Sequence, residues 1–154
     1  MEPLLTIDDS LVAGTIVDRP NRLVVRVQFE DTPERVFLGD PGALVGIIEQ
    51  DREILCRPVE DPDRTTDHDA IAVRVDDTYV SVRTALANDL FAKIISLNTL
   101  STFSGYTLIR REPPLPEHGR TDFLLEKPNG ENAYVEVKYC THVEAGIAKF
   151  PDRQ

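Results

Sequence analysis

The residue types best suited to hydrolytic chemistry lie in the last third of the chain, at Asp122, Glu136 and Lys138. Glu136 and Lys138 stand two residues apart in the alternating run 134–138, which is typical of a strand, so both side chains point to one face. Two carboxylates that meet across a hairpin repel each other unless a cation lies between them, and a hard divalent ion with oxygen ligands fits that position. A neighbouring lysine could orient or help deprotonate a water molecule.

Whether Asp122 joins the other two depends on the turn that precedes the second strand. A two-residue turn at 129–130 would place Asp122 opposite Val137, on the wrong face. A three-residue loop at 128–130 would place it opposite Glu136, and this loop has a proline to lead a type I turn and a glycine for the left-handed bulge position. We therefore predict the three-residue loop and a convergence of two carboxylates and an ammonium group.

The same three residues have a simpler explanation. A solvated hairpin face with an ordinary Glu–Lys ion pair would show the same spacing, because Asp…Glu-x-Lys is short and degenerate. The motif alone favours this explanation over a catalytic site.

Short strands and turns fill the first 82 residues. Runs rich in Val, Ile, Leu and aromatic residues alternate with turn formers. The predicted strands are 11–17, 23–29, 35–38, 53–59, 71–75 and 79–82, and the predicted turns are 18–21, 39–42 and 60–63. This spacing indicates a small antiparallel barrel or sandwich.

A helical pattern begins at Thr84, a plausible N-cap. Apolar residues at spacings of four, four and three predict a helix whose apolar side carries Leu86, Leu90, Ile94 and Leu97. Asp89 and Lys93 are spaced for an i,i+4 ion pair. Strands are predicted at 106–110, 122–126 and 133–139, with a last extended piece at 146–150.

The composition limits the classes of function. The chain has 154 residues with 27 Asp and Glu against 17 Lys and Arg, a formal charge of -10, which argues against a polyanionic partner. Concentrated salt would weaken that argument, because the Debye length falls to about 3 Å at 1 M. No apolar run is long enough for a membrane span, the N-terminus lacks a secretory pattern, and two cysteines cannot build a disulfide scaffold. We expect a cytoplasmic protein with no membrane partner.

Six arginines are candidates for contacts with nucleic acid. On the predicted barrel, Arg19, Arg22 and Arg26 could follow a phosphate backbone or could equally be surface charges that balance nearby acids. Arg110, Arg111 and Arg120, near the proposed site in sequence, are the better phosphate candidates.

The chain resembles the sugar fermentation stimulation protein family over nearly its whole length. The resemblance rests on short motifs in a fixed order: Ala87-Asn88, Gly105-Tyr106, and the runs 80–82, 120–125, 134–138 and 150–152. It implies an α+β protein with an OB-like barrel at 1–82 and a domain similar to the PD-(D/E)XK nucleases at 83–154. It also implies DNA binding, and it places Asp122, Glu136 and Lys138 at the catalytic positions, with Asp122 and Glu136 as metal ligands.

Three departures from the family pattern bear on activity. Lys93 stands where the family usually has an acidic helix residue, and the run 39–42 replaces the family's Pro-Asn-Thr-Gly loop. The chain also stops at Gln154, where the family continues through a basic helix and further strands. A nuclease-like sheet truncated in this way would have an open edge and an uncovered apolar face. The chain is then a fragment, or a second copy covers the sheet in a homodimer, or the domain has lost its catalytic role.

The sequence thus predicts a DNA-binding protein of this family with a nuclease site dependent on Mg²⁺ or Mn²⁺. A non-catalytic DNA-binding or regulatory module with a degenerate nuclease-like domain is the alternative, and the acidic charge keeps open a protein that binds no nucleic acid.

Overall fold

A computed structural model describes residues 3–7, 10–117 and 119–150 of the chain. The chain divides into two compact units. The barrel unit contains the described residues of 7–84 and 140–150, and the sheet unit contains those of 3–6 and 85–139. Each unit is built around its own hydrophobic core.

Five strands of the barrel unit close into a barrel, and a sixth strand extends it. The strands are β1 (Val12–Asn21), β2 (Val24–Gln28), β3 (Pro33–Phe37), β4 (Glu53–Pro58), β5 (His68–Val75) and β6 (Thr78–Ser81). They follow the order β3-β2-β1-β4-β5-β6, and a short parallel pairing of β3 with β5 closes the ring. Each of the six strands predicted from the sequence is present.

The interior of the barrel is filled by alternate residues of its strands. Val25 and Val27 of β2 and Val36 of β3 are fully buried, while Arg26 between the two valines is exposed. This is the alternation expected of a sheet with one wet face. Burial removes the apolar side chains from water, at about 25 cal/mol per Å² of apolar surface, and holds the barrel together.

One local expectation in the barrel unit is wrong. The turn predicted at 18–21 is the end of β1, because two register shifts against β2 bend this long strand without ending it. At the start of β5, His68 stacks on Phe29 with ring centroids 4.6 Å apart.

The sheet unit consists of one helix and three strands. Helix α1 (Ala85–Ser96) is followed by a 3-10 turn (Ser101–Phe103) and by β7 (Thr107–Arg111), β8 (Phe123–Glu126) and β9 (Asn132–Val135). The three strands form an antiparallel sheet with β8 in the centre. The helix packs on this sheet through Phe91, whose ring lies 5.0 Å from that of Phe123.

The helix was predicted in the right place, but the predicted buried face is wrong. Ile95 is the buried residue of α1, with Phe91 and Ala92 packed beside it. Leu90 and Leu97 of the predicted stripe are 36% and 47% exposed. The helix has apolar residues on two sides. The side that carries Phe91 is buried, because Phe91 packs against Phe103 and Phe123 of the sheet unit.

The expected helix cap and ion pair are also replaced by other contacts. Thr84 donates its hydroxyl to the carbonyl of Gly39 at 3.3 Å. Asp89 pairs with Arg111 at 3.0 Å and not with Lys93.

The last described segment returns to the barrel unit. Strands β10 (Val143–Glu144) and β11 (Ile147–Ala148) form a small hairpin where an extended piece was expected at 146–150. In the described part of the chain, no helix is long and apolar enough to cross a bilayer.

Gly14 tests the packing of the barrel. A Cβ atom at this position would lie 2.4 Å from Val27 Cγ1 and 2.9 Å from the Phe29 ring. We expect Gly14→Ala to lower the free energy of unfolding by about 1–3 kcal/mol, because the core has no room for a methyl group. Gly39→Ala is the matched control, since its Cβ would meet only Phe37 at 3.8 Å. Equal melting temperatures for the two variants would contradict this packing.

The two cysteines should differ in reactivity. Cys56 is fully buried, and burial raises the pKa of its thiol to about 12. The thiol is therefore protonated at neutral pH, whereas the attacking species is the thiolate. Native protein treated with iodoacetamide at pH 8 should carry label at half-buried Cys140 long before Cys56, as peptide mass spectrometry would show. Equal labelling rates would mean that the barrel core is open to solvent.

Candidate functional site

The hairpin between β8 and β9 has the predicted three-residue loop. The Lys127 N–H donates to the Glu131 carbonyl at 2.9 Å, and the Gly130 N–H donates to the Lys127 carbonyl at 2.9 Å. Gly130 has a φ of 84°, the left-handed conformation that glycine adopts at low cost. The register pairs Phe123 with Val135, so Asp122 stands opposite Glu136 one step further along.

The ladder ends at this step because side chains take over the backbone hydrogen bonds. The carboxylate of Asp122 accepts the Val137 N–H at 2.7 Å, and the Thr121 hydroxyl donates to the Val135 carbonyl at 2.8 Å. The strand predicted over 133–139 is therefore wrong at its far end, and β9 stops at Val135. Glu136 and Lys138 follow in extended chain beside the end of the sheet.

Glu136 and Lys138 contact each other directly. The Lys138 ammonium donates to Glu136 Oε1, and both side chains are exposed. The Thr121 hydroxyl lies 3.3 Å from Glu136 Oε2. This places the two residues on one face, as their spacing requires.

Asp122 has different partners from the other two residues. Besides the Val137 N–H, it accepts a hydrogen bond from the Asn88 side-chain amide of α1 at 3.0 Å. Within the described residues, Asp122 makes no hydrogen bond or ion pair with Glu136 or Lys138. Buried Thr121 lies next to Asp122 in the chain and touches Glu136, so it links the two carboxylates at the end of the sheet.

The donor set is compatible with a hard divalent cation. A carboxylate has about four lone-pair positions, and the hydrogen bonds of Asp122 occupy two of them. Mg²⁺ is commonly bound through one or two carboxylates, with water and substrate phosphate as the other ligands. The described residues contain no cluster of three or more His, Cys, Asp or Glu side chains placed for a metal. A metal here would thus depend on Asp122 and Glu136.

Sequence reasoning missed the two residues that organise this site, Asn88 and Thr121. Asn88 was noted only as part of a family motif, although its place in the first turn of α1 lets it reach Asp122. Thr121 directly precedes Asp122. A threonine beside a strand carboxylate is a weak signal for a side-chain hydrogen bond to the backbone, and Thr121 makes such a bond to the Val135 carbonyl. Lys93, the departure noted on the helix, lies on an exposed position two turns from the start of α1.

The three arginines predicted near the site have different environments. Arg111 pairs with Asp89 at 3.0 Å and its guanidinium lies 5.6 Å from the centre of the Phe123 ring. Arg120 is mostly exposed, and its ion pair with the Glu112 carboxylate is long at 3.9 Å. Arg110 is exposed, and its side chain has no hydrogen bond or ion pair among the described residues. Arg110 and Arg120 therefore keep N–H groups for a ligand.

The three barrel arginines also differ. Arg19 donates to the carbonyls of Ala43 and Gly42 at 2.9 and 2.8 Å, and to that of Arg22 at 2.9 Å. Its guanidinium therefore stabilises the backbone of the barrel unit. Burial lowers the pKa of its guanidinium. Arg26 makes a two-point contact with Asp18. Arg22 is exposed, and its side chain has no described partner.

Comparison with known proteins identifies the family. Residues 17–82 match the domain described as the SfsA N-terminal OB domain, and residues 85–154 match the sugar fermentation stimulation protein RE domain. The chain belongs to the sugar fermentation stimulation protein family. The expected α+β fold class with an OB-like barrel is confirmed.

Relatives and a solved structure of this family cover most of the chain. A homologue from Methanothermobacter thermautotrophicus is 36% identical over 139 residues, which are 90% of this chain and 57% of the relative. One from Moorella thermoacetica is 35% identical over 144 residues, 93% of this chain and 62% of the relative. The structure of Pyrococcus furiosus SfsA in complex with Ca²⁺ matches with a TM-score of 0.85 at 26% identity, over 98% of this chain and 63% of that one. The chain spans about three fifths of the length of these family members.

The backbone role of Asp122 leads to a prediction about stability without any metal. Asp122→Ala removes the acceptor for the Val137 N–H and the Asn88 amide. We expect a loss of about 1–3 kcal/mol in the free energy of unfolding, measured by urea titration in EDTA. Glu136→Ala is the control and should change stability by less than about 0.5 kcal/mol, since its side chain is exposed. A more stable Asp122→Ala protein would mean that this carboxylate is strained by charge and not used by the fold.

Proposed function

We propose that this chain is a DNA-binding protein that hydrolyses phosphodiester bonds with Mg²⁺ or Mn²⁺ at Asp122, Glu136 and Lys138. The observation that carries the proposal is the hairpin register, which sets Asp122 opposite Glu136 at the end of the sheet. The Glu136–Lys138 contact adds a cation donor on the same face.

Each of the three residues has a distinct role in this proposal. Asp122 and Glu136 would hold the metal, which when bound lowers the pKa of a coordinated water and neutralises charge on the attacked phosphate. The Lys138 ammonium group would position the attacking water and donate to a phosphate oxygen. Asn88 and the Val137 N–H fix the orientation of Asp122 and so pre-organise one ligand.

Contacts to the DNA backbone would come from arginines that the fold leaves free. Arg110 and Arg120 in the sheet unit and Arg22 in the barrel unit are exposed. By contrast, the Arg19 and Arg26 side chains are already hydrogen-bonded to other residues of the barrel unit. Close contacts of this kind support binding despite the overall charge of -10. Their contribution falls as the salt concentration rises.

The comparisons support a divalent metal and a nuclease-like domain. The Pyrococcus furiosus relative is in complex with Ca²⁺, a hard cation with oxygen ligands. The matching family domain over 85–154 is described as an RE domain.

One observation favours a second candidate, a DNA-binding module without catalysis. Each carboxylate already accepts protein hydrogen bonds, Asp122 from Asn88 and Val137 and Glu136 from Lys138. A site that has lost its metal could be stabilised by these contacts. A cleavage assay separates the two candidates.

Lys138→Ala provides the decisive variant. With Mg²⁺ or Mn²⁺, the wild-type chain should cut plasmid DNA, EDTA should stop it, and Lys138→Ala should lower the rate by about 100-fold or more while DNA affinity changes little. Lys127→Ala is the matched control, because Lys127 pairs with Glu131 at the opposite end of the same hairpin. It should cut like the wild type.

The other outcomes are equally informative. Wild-type protein that binds DNA but never cuts it in any metal or salt would establish the non-catalytic module. No binding even at low salt would remove both candidates.

A further inference from the structure

We propose that the outer face of β2 and β3, together with Arg64 of the β4–β5 loop, is a binding face for single-stranded DNA, with Phe37 as the platform on which a base stacks. This inference rests on the proposed DNA binding and adds the substrate form and the residues that would recognise it. It concerns the barrel unit alone.

Phe37 is directed outward by the alternation of β3. Its neighbours Val36 and Leu38 are fully buried in the barrel core, whereas Phe37 is 37% exposed. An exposed phenylalanine on a barrel strand loses the free energy of burial. The exposed part of its ring is instead available to a ligand with an aromatic surface.

A cation already lies over this ring. The Arg64 guanidinium, from the loop between β4 and β5, is 5.5 Å from the centre of the Phe37 ring. Arg64 and Arg57 both pair with Asp69, which stands beside Phe37 in the parallel β3–β5 pairing. These ion pairs fix the loop arginine next to the ring, so the aromatic surface and the positive charge are arranged before any ligand binds.

Two arginines stand directly opposite each other on the same face. Arg26 of β2 pairs in register with Arg35 of β3, and like charges in that position are unfavourable. Asp18 neutralises Arg26. Arg35 is exposed and its side chain has no hydrogen bond or ion pair within the described residues, so its guanidinium is free to contact a phosphate.

The strand side of this face is basic, whereas the loop beside it is acidic. On the strand side Arg26, Arg35, Arg57 and Arg64 meet Asp18 and Asp69, and the β4–β5 loop adds Glu60, Asp61, Asp63 and Asp67. The strand 2–3 face of OB folds is a surface on which oligonucleotides bind. The position, the aromatic group and the unpaired Arg35 on the strand side therefore agree.

The exposed ring favours a single strand over a duplex. In a duplex each base is stacked on its neighbours and cannot reach an aromatic side chain, so only phosphate contacts remain. A single strand offers base faces to Phe37 and phosphates to Arg35, and such stacking tolerates any sequence.

The test compares a fluorescent oligothymidylate of about 16 nucleotides with a duplex of equal length, by anisotropy between about 50 and 200 mM salt. Phe37→Leu keeps an apolar side chain but removes the flat ring, and we expect it to weaken single-strand binding by about fivefold or more. Phe37→Trp should bind at least as well as the wild type. Arg35→Ala should lower the salt slope of single-strand binding by about 0.7.

The barrel supplies a matched control pair. Arg74 and Tyr79 stand opposite each other on β5 and β6, and both are exposed. Tyr79→Leu and Arg74→Ala should leave single-strand affinity unchanged. Melting curves of every variant would identify any that fail to fold. If Phe37→Leu does not fold, single-strand binding of Phe37→Trp is compared with that of the wild type.

The outcomes distinguish this inference from the proposed function. Equal or tighter binding of the duplex, or single-strand binding that Phe37→Leu does not change, would overturn the inference while leaving DNA binding in place. Absence of binding to either form at low salt would overturn the inference and the proposed function together.

Discussion

The hydrogen bond from the Val137 N–H to the Asp122 carboxylate organises the end of the three-stranded sheet. A continuing ladder would have used this N–H for a backbone carbonyl, and Asp122 and Glu136 would then have been ordinary paired strand residues. Because the side chain takes the donor, β9 ends at Val135 and the chain that carries Glu136 and Lys138 leaves the sheet. The pairing of Thr121 with the Val135 carbonyl completes the replacement. A single carboxylate thus serves both the fold and the candidate site.

The use of arginine follows from the acidic character of the chain. Six of the twelve described arginines pair with a carboxylate, among them Arg26 with Asp18 and Arg111 with Asp89. Arg19 instead satisfies backbone carbonyls of the loop at 40–43. The other six have no carboxylate partner among the described residues, and the positions of the exposed ones indicate candidate binding surfaces more directly than the net charge does. The fold and the proposed DNA backbone contacts at Arg22, Arg110 and Arg120 therefore draw on different arginines within one sequence.

Much of the fold could be predicted from the sequence because its signals are local. Alternation in the barrel strands, the proline and glycine of the loop at 128–130, and the apolar spacing of α1 each depend on neighbours within one turn or one hairpin. The loop chemistry was sufficient to fix the β8–β9 register and, with it, the position of Asp122 opposite Glu136. The closure of the barrel through β3 and β5 was not visible, since that pairing joins strands far apart in the chain.

By itself, then, the sequence determined the strands, the helix, the hairpin register and the side-by-side placement of Glu136 and Lys138, all of which follow from backbone periodicity and turn geometry. Only the tertiary structure decided which side of α1 is buried, because Phe91 and Leu90 are equally apolar and the contact with Phe123 makes the choice. It also decided the partners of Asp122, since Asn88 lies 34 residues earlier in the chain. Long-range packing sets where a carboxylate points, and no local pattern carries that information.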